Sequence, residues 1–372
     1  MTGHGVTAID PIHRHVCGKT LNGKEFEASY DRLLIATGAS PIMPDVPGFN
    51  RPEVMAIKSL EDGRKIKQFL DERPVTKAVI IGMGYIALEM CESLTARDVA
   101  VDMVKPNPVF LPWLEPSLAQ VVKTEVESNG IGVHAGHAIK RIEKSDGGLK
   151  VVCSDLVLDA DMVLVGMGVR ANSQLAEDAG LRLSLQKSIA VDRQLRTSNE
   201  KIYAAGDCAD AYHVVTREKT WIPLALRANR AGWAAADNVC GKHKSLDGVA
   251  GTSVFKVFNL EVARTGLNSA EAQKFGFDPV EMVIKSRSRA HGHPGSSTIW
   301  VNMIADRSSG RLLGTQSVGR DGVAHRINGP AVALHNQMTV EQFSQTDLAY
   351  APPFGPTWDP MLTAANQLLK KI

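Results

Sequence analysis

Long apolar runs, basic clusters and paired cysteines are all missing from this sequence. Its longest apolar stretches, such as Val79 to Met83, fall far short of the ~20 residues that cross a bilayer. The 42 lysine and arginine residues are balanced by 40 acidic residues, which leaves a net charge of +2. No long basic run is present to neutralise a phosphate backbone. We therefore expect no membrane span and no nucleic-acid partner.

The cysteines are few and isolated. None belongs to a CxxC pair, and a chain of 372 residues is long enough to fold without disulfides. The first residues, Met1 to Gly5, lack the basic region and apolar core of a secretory signal. The sequence thus predicts a cytoplasmic protein with reduced, mostly structural thiols and no metal site. The five cysteines are Cys17, Cys91, Cys153, Cys208 and Cys240.

The length corresponds to two or three domains, and the local patterns divide the chain into four segments. Residues 1–50 read as extended chain followed by a proline-rich linker, and residues 173–247 add a short buried strand and an alanine-rich helix. Residues 51–172 alternate strands and helices, as in a doubly wound Rossmann-like domain. Residues 248–372 predict a separate α+β domain with strands at 252–258, 298–304 and 312–318 and a helix at 331–337. The predicted fold class is α/β.

The strongest motif is Gly82-x-Gly84-x-x-Ala87. It follows a buried apolar strand and begins a helix, and only in this context does such a motif indicate dinucleotide binding. Glycine keeps this turn tight and lets the backbone approach a pyrophosphate at the helix N-terminus. The motif predicts a dinucleotide site, and the alternative is a purely structural glycine turn.

Lys105 occupies the end of the strand that follows. It lies 23 residues after Gly82, close to the ~20 residues expected of the position that reads the ribose. An acidic residue would accept a hydrogen bond from the 2′-hydroxyl there, whereas a lysine only donates. Lys105 therefore favours NADPH over NADH. The alternative is a solvated lysine at a strand end.

Two further strand ends carry short motifs. Thr37-Gly38 follows one apolar strand and Gly206-Asp207 follows another. A glycine at the carboxyl end of a strand allows close approach of a ligand, and Asp207 offers acceptors to ligand hydroxyls. Either motif alone would indicate only a turn.

Taken in order, these segments resemble the flavin-dependent pyridine nucleotide-disulfide oxidoreductases. The similar segments are YDRLLIATGASP, AVIIGMGYIALE, VGMGVRAN, TSNEKIYAAGDCAD and IPLALRANRAG. The pieces GTSVFKVF, TGLN and LAYAPPFGPTWDP resemble the branch of coenzyme A disulfide reductases, NAD(P)H sulfur reductases and NADH oxidases. The resemblance extends over nearly the whole chain.

The resemblance implies two cofactors, FAD and NAD(P)H, and a homodimer. Segments 1–50 and 173–247 would form an FAD domain, segment 51–172 the NAD(P)H domain, and segment 248–372 a dimerisation domain. Hydride would pass from nicotinamide to flavin and on to a small-molecule disulfide, polysulfide or oxygen. The positions implied to bind cofactor are Thr37, Gly38, Gly82, Gly84, Tyr85, Ala87, Glu89, Lys105, Gly168, Gly206, Asp207, Ala225 and Tyr350.

Individual roles also follow from the resemblance. Thr37 and Gly38 would lie against the flavin nucleotide, with Gly206 and Asp207 at its ribityl and phosphate region. Tyr85 resembles the aromatic residue that covers the flavin. The remaining positions have one implied role each: Glu89 near the nicotinamide, Gly168 beside the dinucleotide, and Tyr350 reaching across the dimer interface toward the partner's flavin.

The chain departs from the family at its beginning. Only 36 residues precede Thr37, and they show neither a first GxGxxG strand–helix unit, which takes ~30 residues or more, nor a cysteine at the redox-active position. We therefore expect an incomplete FAD domain with weakened FAD binding, and the catalytic residue stays unknown, with Tyr350 and His293 as candidates. The alternative function is a non-catalytic, NAD(P)H-binding, dimerising remnant or truncated gene product.

Overall fold

The computed structural model describes residues 1–372. The strands are β1 His4–Asp10, β2 His15–Thr20, β3 Glu25–Ser29, β4 Leu33–Ile35, β5 Ala39–Pro41, β6 Val54–Ala56, β7 Lys77–Ile81, β8 Ala100–Lys105, β9 Gly132–Ala135, β10 Ile139–Ser145, β11 Gly148–Cys153, β12 Val157–Ala160, β13 Met162–Val165, β14 Val169–Ala171, β15 Ile202–Ala204, β16 Ala211–Tyr212, β17 Lys219–Thr220, β18 Ser253–Val257, β19 Leu260–Gly266, β20 Pro279–Arg287, β21 Thr298–Asp306 and β22 Leu312–Gly319. The helices are α1 Leu60–Glu72, α2 Tyr85–Thr95, α3 Pro116–Ser128, α4 Gln174–Asp178, α5 Ala225–Val239, α6 Ser269–Lys274, α7 Val323–Arg326, α8 Asn328–His335, α9 Val340–Ser344 and α10 Pro360–Leu368. None of these helices combines the length and the apolar character needed to cross a membrane.

The chain divides into two compact units, each built from two separate stretches. The first unit contains Met1–Ser40 and Val169–Gly251, and the second contains Pro41–Gly168 and Thr252–Ile372. The chain therefore enters, leaves and re-enters the first unit. The four-segment domain division stays a prediction.

The first unit contains several small sheets and one long helix. Strands β1, β2 and β3 form an antiparallel sheet, and Gly23, with a φ of +77°, makes the turn between β2 and β3 that the Asn22-Gly23 pair predicts. Strands β4 and β15 pair in parallel. Buried alanines of α5, including Ala231 and Ala235, share a core with Ile35 and Ile202 of these strands.

A five-stranded parallel sheet, in the order β6-β13-β7-β8-β9, organises the first stretch of the second unit. Its side chains alternate between two cores, as the period of a strand requires. Ile80 lies in a core with Leu88 of α2 and Leu118 of α3, whereas Val79 lies in a core with Val151 of the antiparallel β10-β11-β12 sheet. The β10-β11-β12 sheet thus covers the face of the parallel sheet opposite α2 and α3.

The second stretch of this unit is the predicted α+β segment. An antiparallel sheet in the order β18-β19-β22-β21-β20 carries the helices α7 to α10. Phe255 and Val257 of β18 belong to the same buried core as Leu88 of α2. In addition, Glu92 of α2 accepts a hydrogen bond of 2.7 Å from the backbone N–H of Phe258. Helix α2 therefore packs against both the parallel sheet and the antiparallel sheet.

Candidate functional site

The turn between β7 and α2 is shaped by close backbone packing. Gly82 has a φ of +115°, and a Cβ atom there would lie 2.2 Å from the carbonyl oxygen of Gly166. Only glycine fits such a position. Ala87 is 1% exposed, and a side chain at Gly166 would meet its Cβ at 3.1 Å. Gly82 and Ala87 therefore allow the helix and strands to approach, and Ala87 contributes through packing.

Gly84, unlike Gly82, has open space where a side chain would stand. It is the N-cap residue of α2, with φ −78° and ψ 177°, and no side chain caps the helix. A Cβ atom at Gly84 would have no neighbour within 4 Å. The first N–H groups of α2 lack intrahelical acceptors, and the helix dipole adds positive potential there. This end of α2 is an open site for an anionic group.

Tyr85 and Glu89 follow on the first turns of α2. Tyr85 is 42% exposed, and its ring centroid lies 6.3 Å from that of Phe255. Glu89 is exposed, yet desolvation by neighbouring atoms, followed by the charge of Glu92, raises the pKa of its carboxyl. Residues four apart lie on one helix face, so Tyr85 and Glu89 share one face of α2 near its open N-terminus.

Lys105 ends β8 and is buried at 9% exposure. Its carbonyl oxygen accepts hydrogen bonds from Gly136 at 2.9 Å and His137 at 3.0 Å. Burial lowers the pKa of its ammonium group, because a charge without water around it is destabilised. This is not the solvated lysine of the alternative interpretation. An anion beside Lys105 would stabilise the charged ammonium group that burial destabilises.

Gly168 follows β13 in the same unit. Its φ is +95°, and a Cβ atom there would have no neighbour within 4 Å. Its carbonyl oxygen accepts a hydrogen bond of 3.0 Å from Ile42. Gly168 thus combines a left-handed backbone with open space, as a glycine beside a ligand would.

In the first unit, Asn172 holds the Thr37-Gly38 turn. The Thr37 hydroxyl donates to the Asn172 carbonyl at 2.5 Å, the Asn172 side chain donates to the Thr37 carbonyl at 2.9 Å, and the Asn172 N–H donates to the Gly38 carbonyl at 2.9 Å. Gly38 has a φ of +70° with open space where a Cβ would stand. The turn is therefore rigid on one side and open on the other.

The Gly206-Asp207 turn rests on a buried arginine. Arg227 is 7% exposed and donates to the carbonyl oxygens of Gly206, at 2.5 Å, and of Asp210. Gly206 has a φ of +82° and open space at its Cβ position. The carbonyl of Asp207 accepts a hydrogen bond of 2.9 Å from the Trp221 indole. Two side chains, Arg227 and Trp221, thus hold this loop through three hydrogen bonds.

Ala225 is the first residue of α5 and is exposed. No side chain caps this helix, whose N-cap is Leu224. Its first N–H groups are therefore available to an external acceptor, as at α2.

The thiols differ in accessibility. Cys91, Cys153 and Cys208 are buried, Cys17 is intermediate and Cys240 is exposed. Burial raises the pKa of Cys91 to about 12 and also raises the pKa of Cys153. Because the thiolate is the nucleophile, these two residues are structural.

The two candidate catalytic residues lie in the α+β segment of the second unit. Tyr350 is 51% exposed. His293 is half-buried, and its Nδ1 lies 3.0 Å from the carbonyl oxygen of Pro294. Neither makes an ion pair in this chain, so both side chains are available to an external group.

Sequence reasoning missed the residues that hold the loops. Asn172, Arg227 and Asp210 support the Thr37 and Gly206 turns but face away from the open sides. Asp210 is fully buried, with Lys219 Nζ 2.9 Å from its Oδ1. One sequence signal could have identified Arg227: a charged residue in an apolar, alanine-rich segment is often buried with hydrogen-bond partners.

These geometries fit the groups that the motifs predict. At Gly84, Gly168, Gly38 and Gly206 the space of a missing side chain is open, whereas at Gly82 it is filled by backbone. A phosphate needs N–H donors and room for close approach, and the N-terminus of α2 offers both. The residues present therefore fit a dinucleotide in the second unit and part of a nucleotide-containing flavin in the first.

Comparison with known proteins gives the same result. Residues 1–232 match the family model of the pyridine nucleotide-disulphide oxidoreductases, and residues 252–361 match that family's dimerisation domain. The chain is 34% identical over 348 residues to the CoA-dependent NAD(P)H sulfur oxidoreductase of Pyrococcus furiosus, covering 93% of this chain and 78% of that protein.

Solved structures show the same architecture. A NAD-dependent persulfide reductase from A. fulgidus superimposes with a TM-score of 0.95 at 35% identity, covering 99% of this chain and 69% of that one. An FAD-dependent pyridine nucleotide-disulphide oxidoreductase from Desulfovibrio vulgaris gives 0.84 at 29% identity, covering 99% and 89%. The predicted α/β fold and C-terminal dimerisation segment are confirmed, and the chain belongs to the pyridine nucleotide-disulphide oxidoreductase family.

Proposed function

We propose that this chain is an FAD-dependent NAD(P)H oxidoreductase that passes a hydride from nicotinamide to FAD and then electrons to a small disulfide or polysulfide. The observation that carries the proposal is the open, uncapped N-terminus of α2 at Gly84, within the stretch matched by the family model. The names of the relatives, a sulfur oxidoreductase and a persulfide reductase, favour a sulfur acceptor over oxygen.

The nucleotide would bind along α2. The first N–H groups of α2 would hold its pyrophosphate, and Gly84 leaves room for the phosphate oxygens. Tyr85 and Glu89, on one face of the helix, would orient the nicotinamide end. Because the pKa of Glu89 is raised, its carboxyl holds a proton to a higher pH than an ordinary glutamate.

The flavin would bind in the first unit. Thr37 and Gly38 would contact its nucleotide, and Gly206, Asp207 and the N-terminus of α5 at Ala225 would hold its polar chain. When bound, FAD supplies the two-electron chemistry that no side chain provides. The hydrogen bonds of Asn172 and Arg227 would keep the two turns in position without touching the cofactor.

The dimerisation segment supports a homodimer. Large aromatic side chains near its C-terminal end are left exposed, a pattern typical of an interaction surface. Tyr350 is 51% exposed, Phe354 77% and Trp358 62%. We place the contact with the second copy here, with Tyr350 and the nearby His293 as the candidate catalytic residues.

The direct test is spectroscopic. The chain is equilibrated with excess FAD and concentrated by ultrafiltration, which retains even weakly bound FAD with the protein, and we expect a yellow, dimeric protein whose flavin absorbance is bleached by anaerobic NADPH. Adding polysulfide, a coenzyme A disulfide or oxygen then identifies the acceptor by the return of the flavin absorbance, with polysulfide expected to be fastest. A dimeric protein that binds NADPH but stays colourless after FAD incubation would instead establish the non-catalytic alternative.

Lys105 gives a prediction about nucleotide choice. Replacing Lys105 with methionine keeps its buried stem and removes the charge, so we expect NADPH to bind about 10-fold more weakly, the loss of one charge-assisted hydrogen bond. NADH, which lacks the 2′-phosphate, should bind unchanged. Titration of intrinsic fluorescence measures both constants, and Lys140→Met, at an exposed position of β10, is the control. Equal affinities of the wild-type protein for NADH and NADPH would contradict the assignment.

A further inference from the structure

A second cavity lies in the second unit, between α3 and the antiparallel sheet. Its volume is about 660 Å³, within the range of small-molecule sites. Gln120 and Thr124 of α3 line one side, and Thr298 and Trp300 of β21 line the other. None of its residues belongs to the β7–α2 turn, so the cavity is separate from the proposed nucleotide site.

The register of the sheet explains which side chains meet in this cavity. Arg287 of β20 pairs with Thr298 of β21, and Lys285 pairs with Trp300 two residues along. Alternate residues of a strand point to the same face. The sheet therefore presents one arginine side chain and one lysine side chain on the same face as a hydroxyl and an indole ring.

The charge of the cavity is positive. Arg287 and Arg320 line it together with the single carboxylate of Glu125. Glu125 is buried, and its Oε1 already accepts two hydrogen bonds from Asn259, at 3.2 and 3.1 Å. Its Oε2 lies 3.4 Å from Arg320. The Arg287 guanidinium is exposed and makes no hydrogen bond or ion pair in the chain. One full positive charge thus lacks a counter-ion.

The remaining lining suits a ligand with a flat ring. Trp300 is half-buried and lines the cavity, and the ammonium of Lys285 lies 5.7 Å from its ring centroid. Indole rings stack on planar heterocycles, and arginine binds phosphate oxygens in a bidentate manner. The hydroxyls of Ser297 and Thr298 add donors to the same group.

We infer that this cavity binds an organic phosphate carrying a planar aromatic ring, with phosphate on Arg287 and Arg320 and the ring on Trp300. An adenine nucleotide has this chemistry, so ADP is the probe. The inference goes beyond the proposed oxidoreductase reaction, because the bound phosphate takes no part in hydride transfer. It gives the chain a nucleotide-binding site in addition to those proposed for NAD(P)H and FAD.

Equilibrium dialysis of ADP against the FAD-saturated protein tests this. Two ADP molecules should bind per chain, one at α2 and one in the cavity. Gly84→Val should remove the first and Arg287→Ala the second, each leaving one, and the double variant should bind none. Arg287→Ala should keep the reduction of bound flavin by NADPH, which depends on the site at α2, and this separates the inference from the proposed function. Arg64→Ala, an exposed arginine of α1, is the matched control.

A second ligand, inorganic pyrophosphate, separates the contribution of the phosphate from that of the ring. Inorganic pyrophosphate should bind the cavity of Trp300→Leu nearly as well as that of the wild-type protein, whereas ADP should bind this variant about 10-fold more weakly, the effect of losing one stacking contact. A stoichiometry of one ADP per chain that Gly84→Val abolishes would overturn the inference. So would an Arg287→Ala variant that binds two ADP molecules like the Arg64→Ala control.

Discussion

Replacing Gly84 with valine is expected to weaken NAD(P)H binding at α2 strongly while leaving the fold intact. Gly84 has φ −78° and ψ 177°, an extended conformation that any residue adopts. No atom lies within 4 Å of the Cβ position. The Cβ of a valine is therefore accommodated without a clash, and its side chain occupies the space that the phosphates would need.

The expected loss is large because several contacts fail together. A phosphate kept away from the α2 N-terminus loses hydrogen bonds to backbone N–H groups and the favourable helix dipole. Two charge-assisted hydrogen bonds of about 1.5 kcal/mol each correspond to a dissociation constant roughly 100-fold higher. Calorimetric titration with NADPH measures this change. The unfolding free energy should fall by less than about 1 kcal/mol, the effect of a poorer N-cap.

Gly82→Val is the matched control, two residues earlier in the same turn. Its φ of +115° is unfavourable for valine, and the Cβ would lie 2.2 Å from the Gly166 oxygen. Backbone strain and overpacking together should lower the unfolding free energy by about 3 kcal/mol or more. Chemical denaturation of the two variants separates the roles. Normal NADPH binding by Gly84→Val, or equal destabilisation of both variants, would contradict the assignment.

The same turn shows what sequence alone predicts well. Strand β7, the glycine turn and α2 are contiguous, and each depends on neighbours a few residues away. Apolar runs and glycine positions report such local structure directly. The helix α1 also had a local signal, the capping box between Ser59 and Asp62, which the sequence analysis did not use.

Strands β19 and β20 were missed for a different reason. The turn between β18 and β19 contains Phe258, with a φ of +50°. A glycine or asparagine at position 258 would have predicted a hairpin. Strand β20 begins at Pro279, and proline argues against a strand by itself. Both strands are specified by their partners in the sheet.

The loop supports could not be predicted because they depend on distant parts of the chain. Thr37 and Asn172 are separated by 135 residues, and strand β13, which comes late in the sequence of this sheet, lies between β6 and β7. A pattern within one window does not report such pairings. For the same reason the motifs predicted which residues stand at open turns, but not the arginine and asparagine behind them.

Replacing Arg326, in the dimerisation segment, is the second change expected to have a large effect, here on the unfolding free energy. Its Nε lies 2.7 Å from Asp359, and the two side chains are 11% and 14% exposed. The same guanidinium donates to the carbonyl oxygens of Gly322 at 3.0 Å, Ser288 at 3.0 Å and Phe354 at 2.7 Å. One side chain thus joins three loops, including the one that carries the exposed aromatic residues.

Arg326→Met should lower the unfolding free energy by about 3–5 kcal/mol, because it leaves a buried carboxylate without its counter-ion. Arg307→Ala, which removes a pair 51% and 65% exposed, is the control and should cost less than about 1 kcal/mol. Adding Asp359→Asn to Arg326→Met should recover part of the loss, since asparagine still accepts the hydrogen bond that Asp359 accepts from Met361 at 2.8 Å but carries no charge. Denaturant unfolding measures all three variants. If Arg326→Met were no less stable than Arg307→Ala, the ion pair would not be what holds the aromatic loop in place, and the dimer contact proposed there would need another support.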